Sequence, residues 1–207
     1  MQLKQIEISS IEYPFLLKNI YNPPEKLYVY GNTENLRRKC ITIIGTRNCT
    51  FYGKRITKKI IEKYTKNNYV IVSTLESGIN ITAIEETINL KARCIAVLGT
   101  AINKIYPKEN IEVARRILKE NGTIISEFNI NEKTTKESFL LRNRILSGIS
   151  NSLIIVEAGE KSGTLLTANY ALEQGRNVYS VIGRVDSKQS IGTNNLVKEG
   201  AIPIIFN

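Results

Sequence analysis

From Ile41 onward the chain alternates between two hydrophobic patterns. Short, continuous runs rich in β-branched residues, such as Ile41-Thr42-Ile43-Ile44, predict strands buried on both faces. Between them lie stretches in which apolar residues recur every three or four positions. In 53–66, Ile56, Ile60, Ile61 and Tyr64 fall at helical spacing, while Lys54, Arg55, Lys58, Lys59 and Lys63 fill other positions. The alternation continues with a strand over 69–73, a helix over 79–90 opened by Gly78, and a strand over 94–98 ended by Gly99. A helix over 110–120 ends at Asn121-Gly122, a pair suited to a left-handed C-terminal stop, and a strand over 123–127 follows. A short helix carrying Arg142-Asn143-Arg144, a strand over 152–158 and a helix opened by Ser162-Gly163-Thr164 come next. The series closes with a strand over 178–181, a short helix near 194–198 and a strand over 202–206. Such alternation predicts an α/β fold: a doubly wound, mostly parallel, Rossmann-like sheet with helices on both faces. It spans 40–207. Residues 1–39 are mixed in pattern, with a strand candidate over 27–30 closed by Gly31-Asn32, and are expected to form an N-terminal extension packed on that core.

Ligands of such a sheet bind beyond the carboxyl ends of its strands, so the residues that follow each strand are the candidates. Gly45-Thr46-Arg47 occupies the first strand-to-helix turn, where a guanidinium offers paired N–H donors to a phosphate. It is neither a GxGxxG fingerprint nor a P-loop, which weakens a dinucleotide or nucleoside-triphosphate reading. Ser162-Gly163-Thr164 reads as a capped helix N-terminus whose backbone N–H groups favour an anion. Arg142 and Arg144 stand two apart, so on a helix they diverge by roughly 200° and cannot both reach one phosphate. Arg142 is the one expected to face the ligand. Phe139 shares its face and suits stacking against an unpaired base, with core packing as the alternative. Glu157 ends a strand without a partner acid or nucleophile, so a structural hydrogen-bonding role is expected and no catalytic residue is assigned.

The charge balance bears on the partner. Lys and Arg total 29 against 19 Asp and Glu, a net +10, which suits a polyanion such as nucleic acid; a solvated basic surface gives the same numbers. The absence of histidine excludes His-based catalysis and His-ligated metals. Cys40, Cys49 and Cys94 show neither a CxxC pair nor zinc spacing, so no metal or cofactor is expected. No apolar run reaches transmembrane length and the N-terminus lacks a signal-peptide core, which predicts a cytoplasmic protein without membrane contact.

Several strings together resemble the core of the DNA-processing protein A (DprA, or Smf) family within the Smf/LOG superfamily. They include Leu27-Tyr28-Val29-Tyr30-Gly31-Asn32, Ile44-Gly45-Thr46-Arg47 with Tyr52-Gly53, and Tyr106-Pro107-Lys108-Glu109-Asn110. Arg142-Asn143-Arg144-Ile145, Val156-Glu157-Ala158, Ser162-Gly163-Thr164-Leu165 and Gly192-Thr193-Asn194 continue the series, in order and over almost the whole chain. The resemblance implies single-stranded DNA binding with little sequence preference, transfer of the strand to the RecA recombinase during DNA uptake and recombination, a homodimer, and no enzymatic activity. It places the DNA pocket at Arg47, Phe139, Arg142, Ser162, Gly163 and Thr164. With their neighbours Gly45, Thr46, Asn143 and Arg144, these make up the expected binding set.

This chain departs from the family pattern in four places that bear on the pocket. The family's Ser-Gly-x-x-x-Gly-Ile-Asp segment reads Ser73-Thr74-Leu75-Glu76-Ser77-Gly78-Ile79-Asn80 here, with Ile84 in place of a downstream His. Glu76 thereby puts a negative charge beside the expected anion site. Ile182 replaces the usual Pro before Gly183, and neither the helical N-terminal module nor the C-terminal winged helix common in the family is expected in this chain. The alternative reading is a nucleotide sensor or nucleotide-hydrolysing enzyme of the LOG-like branch. That branch carries an acid after its Gly-Thr pair, where this chain has Thr167, so DNA binding ranks above it. A module for oligomerisation or recombinase contact is the third reading.

Overall fold

The middle strands are apolar along their whole length because water reaches neither side of them. The computed structural model describes residues 2–206. Strands β3 (Cys40–Ile44), β4 (Val70–Ser73), β5 (Cys94–Val97) and β6 (Thr123–Ser126) are buried at every position. Together with β1 (Lys4–Glu7), β2 (Lys26–Gly31), β7 (Ser152–Ile155), β8 (Asn177–Val181) and β9 (Ile202–Ile204) they form one sheet, ordered β1-β2-β6-β5-β4-β3-β7-β8-β9. Six of its eight pairings are parallel; β2 runs antiparallel to both β1 and β6. From β3 the chain winds outward through β4, β5 and β6, then returns to the other flank of β3 for β7, β8 and β9. The reversal leaves a crevice between β3 and β7, where open α/β sheets bind their ligands.

Side chains of successive strand residues point to opposite faces, and each face is covered by helices. Ile41, Ile43, Ile71 and Ile154 pack on Ile56, Ile60 and Ile61 of α2 (Phe51–Lys66) and on Ile79 and Ala83 of α3 (Ile79–Asn89). Farther along that face, Ala96 and Ile124 meet Val113, Ala114 and Ile117 of α4 (Ile111–Lys119). On the opposite face, Val70, Val72, Ile95 and Val97 meet Ile145 and Leu146 of α5 (Lys136–Gly148), with Leu17 of the one-turn helix α1 (Phe15–Lys18) in the same cluster. Ile44, Leu153 and Ile155 meet Ala168 and Ala171 of α6 (Gly163–Glu173) and Leu196 of α7 (Ile191–Lys198). The N-terminal residues Ile6, Tyr13, Ile20, Leu27 and Val29 belong to the α5 cluster. Among the described residues no helix is long and apolar enough to cross a membrane.

The alternation predicted beyond residue 40 is present, with shifted ends. The strand expected over 152–158 stops at Ile155: Val156 N–H still donates to the Ile44 carbonyl of β3 at 3.0 Å and the Glu157 carbonyl accepts the Thr46 N–H at 2.7 Å, but Ala158 N–H turns away to the Gln189 carbonyl at 2.8 Å. The expected strand over 202–206 stops at Ile204, and the helix expected near 194–198 begins at Ile191. The helix carrying Arg142 is not short but 13 residues long, opened by a reciprocal capping box between Thr135 and Ser138. Strand β1 and helix α1 were not expected.

Candidate nucleic-acid interface

Three turns meet over the β3–β7 crevice, and glycines let them approach. A Cβ on Gly45 would lie 2.7 Å from Ile79 Cγ1 and 2.9 Å from the Glu157 carbonyl, so only hydrogen fits between the start of α3 and the β7 turn. Gly78 has φ +82° and packs against the Thr46 carbonyl, which accepts the Ile79 N–H at 3.2 Å. Gly45 N–H donates to Asn80 Oδ1 at 2.9 Å, and Asn80 Nδ2 donates to Thr74 Oγ1 at 2.8 Å. The loops after β3, β4 and β7 are thus fixed to one another before any ligand arrives.

The cleft they border has a volume of about 590 Å³. Gly45, Thr46, Arg47, Phe139, Arg142, Asn143, Ser162, Gly163 and Thr164 line it, nine of the ten residues expected from the sequence. Arg144 does not. It leaves α5 on another side, is buried, and donates through Nη2 to Glu127 Oε1 at 2.5 Å. The divergence imposed by helical spacing sends it there. Asn48, Glu76, Asn80 and Thr167 also line the cleft; of these, sequence reasoning had flagged Glu76, Asn80 and Thr167 but placed none of them among the binding residues.

Two arginines in the cleft share one carboxylate. Arg47 Nη2 donates to Glu76 Oε1 at 2.5 Å and Arg142 Nη2 to Glu76 Oε2 at 3.1 Å. The Arg47 side chain is 66% exposed and that of Arg142 only 7%. Burial alone would raise the Glu76 carboxyl; the guanidiniums of Arg142 and Arg47 outweigh it and hold the group below the ordinary glutamate value. Burial likewise pulls Arg142 down, opposed by Glu76. The Arg142 guanidinium lies 5.9 Å from the centre of the Phe139 ring, which meets Tyr106 edge-on at 5.4 Å.

Across the crevice, Ser162 caps α6 by accepting the Thr164 N–H at 3.3 Å, and a Cβ at Gly163 would touch nothing within 4 Å. A phosphate can therefore approach this helix end closely. Glu157 takes no part in the cleft. Its carboxylate is buried beneath the start of α2, accepting from Thr50 N–H at 2.8 Å and Thr50 Oγ1 at 2.5 Å, with the bare Gly53 against it. The structural role expected for it has this geometry.

A model of the family described as DNA recombination-mediator protein A matches residues 4–206. The chain belongs to that family. It is 40% identical over 200 residues to DNA processing protein DprA of Bacillus subtilis, which covers 96% of this chain and 67% of the relative. With Protein Smf of Escherichia coli it shares 34% identity over 92% of this chain and 51% of the relative. The chain thus spans between half and two thirds of these relatives' length. The structure of DprA from Streptococcus pneumoniae superposes with a TM-score of 0.92 at 32% identity, covering 99% of this chain and 71% of that one. DprA from Helicobacter pylori, in a structure that concerns its single-stranded DNA binding mode, gives 0.89 at 33% identity, covering all of this chain and 92% of that one. A molybdenum cofactor carrier protein from Chlamydomonas reinhardtii, at 13% identity and a TM-score of 0.54 over 82% of this chain and 91% of that one, shares the fold alone.

Proposed function

We propose that this chain binds single-stranded DNA in the β3–β7 cleft. In this reading the strand's phosphates lie along Arg47 and the N-terminus of α6, and an unpaired base packs against Phe139. The observation that carries it is the meeting of an exposed arginine, an open helix N-terminus and an aromatic ring at the switch point of a DprA-type sheet. The backbone supplies most of the affinity, so sequence preference is weak. Residues 1–39 act as an extension of the 40–207 core within the same binding unit. The protein works in the cytoplasm as a homodimer, passes the strand to a RecA-type recombinase during DNA uptake or recombination, and carries out no covalent chemistry of its own.

Gel-shift titrations with labelled single- and double-stranded oligonucleotides at two salt concentrations test the reading. The expected result is tighter binding of the single strand, with a log–log salt slope of about −0.7 for each phosphate contacted. Salt-independent binding, preference for the duplex, or release of free base from a nucleoside monophosphate overturns it.

A further inference from the structure

We propose that Glu76 is an internal stand-in for a phosphate: it occupies the two cleft arginines of the free protein, and an incoming strand has to displace it from Arg47. The inference rests on the single-strand reading and concerns how strongly that site holds its ligand. Each carboxylate oxygen of Glu76 takes one guanidinium, which is the bridging pattern a phosphate would use. The carboxylate is carried by a fixed loop. Glu76 N–H donates to Thr74 Oγ1 at 3.1 Å, and that oxygen also accepts from Asn80, which in turn holds Gly45. Glu76 is thus aimed into the cleft by the same network that shapes it.

The two arginines are unequal, and that makes exchange feasible. Arg142 is nearly sealed from solvent, so it stays on Glu76 and keeps the carboxylate neutralised throughout. Arg47 is mostly exposed, and its guanidinium can turn from the carboxylate to a phosphate without leaving a buried charge unpaired. A phosphodiester brings one negative charge to a site that already holds one, so Glu76 lowers the affinity at this contact and speeds release. The arginine pair with its carboxylate carries a net charge of +1 rather than +2.

The test measures single-strand affinity and salt slope for Glu76→Gln, for Arg47→Ala, and for the two combined, with circular dichroism confirming the fold. The first variant frees Arg47 while keeping an amide oxygen for Arg142. It is expected to bind about fivefold more tightly, on the scale of a solvent-facing ion pair, with an unchanged slope, because Arg47 meets the same phosphate in both proteins. Arg47→Ala alone is expected to weaken binding, since its guanidinium is the one that meets the phosphate. With Arg47 already removed, Glu76→Gln is expected to bring no further gain, because the arginine it would free is gone. Weaker or unchanged binding by Glu76→Gln overturns the proposal and makes Glu76 a residue that orients Arg47; an equal gain with Arg47 already removed overturns it too and makes Glu76 a general negative charge in the cleft. In either case salt-dependent binding by the unaltered protein leaves the single-strand reading standing. If neither the unaltered protein nor the variants bind single strands, that reading falls and this proposal falls with it.

Discussion

Gly163 is the residue at which binding and stability separate most cleanly. It opens α6, lines the cleft, and has empty space where a side chain would project. A carboxylate there meets no steric obstacle, and the helix dipole favours it by about 0.3–1 kcal/mol. The same charge repels a phosphate a few ångströms away by about 1 kcal/mol. Gly163→Asp is therefore expected to keep or slightly raise the urea midpoint while weakening single-strand binding about fivefold. Parallel urea melts and anisotropy titrations check it, and an unchanged affinity would remove the α6 terminus from the interface. Gly53 presents the opposite case: its missing side chain leaves room for the Glu157 carboxylate, 2.3 Å from where a Cβ would stand, and the residue serves the α2 cap rather than the cleft.

At the level of elements, the position of the thiols gives a second test. Cys40 and Cys94 lie in β3 and β5 and are fully covered; burial pushes both thiols up to about 12. Cys49, in the turn after β3, is also raised by burial but is only half-buried. Iodoacetamide at mildly alkaline pH should add a single label, at Cys49, with the strand thiols reacting only in denaturant; mass spectrometry of digested samples reads the sites. Native labelling at Cys94 would contradict the strand assignment. The central strands were legible in the sequence because burial on both faces demands unbroken apolar runs. Strand β1 was not, since only Ile6 of its four residues is buried and its partner β2 lies some twenty residues away. Helix α1 is a single turn held by Leu17 in a tertiary cluster, which no local period announces. In the cleft, the glycine turns, the helix cap and the divergence of Arg142 from Arg144 follow from local geometry. The sharing of Glu76 does not. It joins positions 29 and 66 residues apart, so the sequence shows the charge without its partners.

Across the whole molecule, one excess of charge acts on folding and on binding in opposite senses. A net +10 means that the folded chain repels itself, and added salt screens that repulsion. The same salt weakens a DNA complex, because counterions released into a more concentrated solution gain less entropy. Raising sodium chloride from about 50 to about 200 mM should leave the thermal midpoint unchanged or higher while single-strand affinity falls. Acid adds a second contribution with a definite sign. Glu76 titrates lower in the folded protein than its ordinary value, so the stability it supplies is complete above that value and is lost as pH falls through the folded one. Protonating the carboxylates also removes the negative charges that offset 29 cations, so self-repulsion grows over the same range. Thermal melts on acidification should therefore show a falling midpoint, partly restored by salt, with a shallower fall for Glu76→Gln. A melting temperature that drops with salt at neutral pH, in step with affinity, would mean that lost binding reports lost fold and not competition for the phosphates.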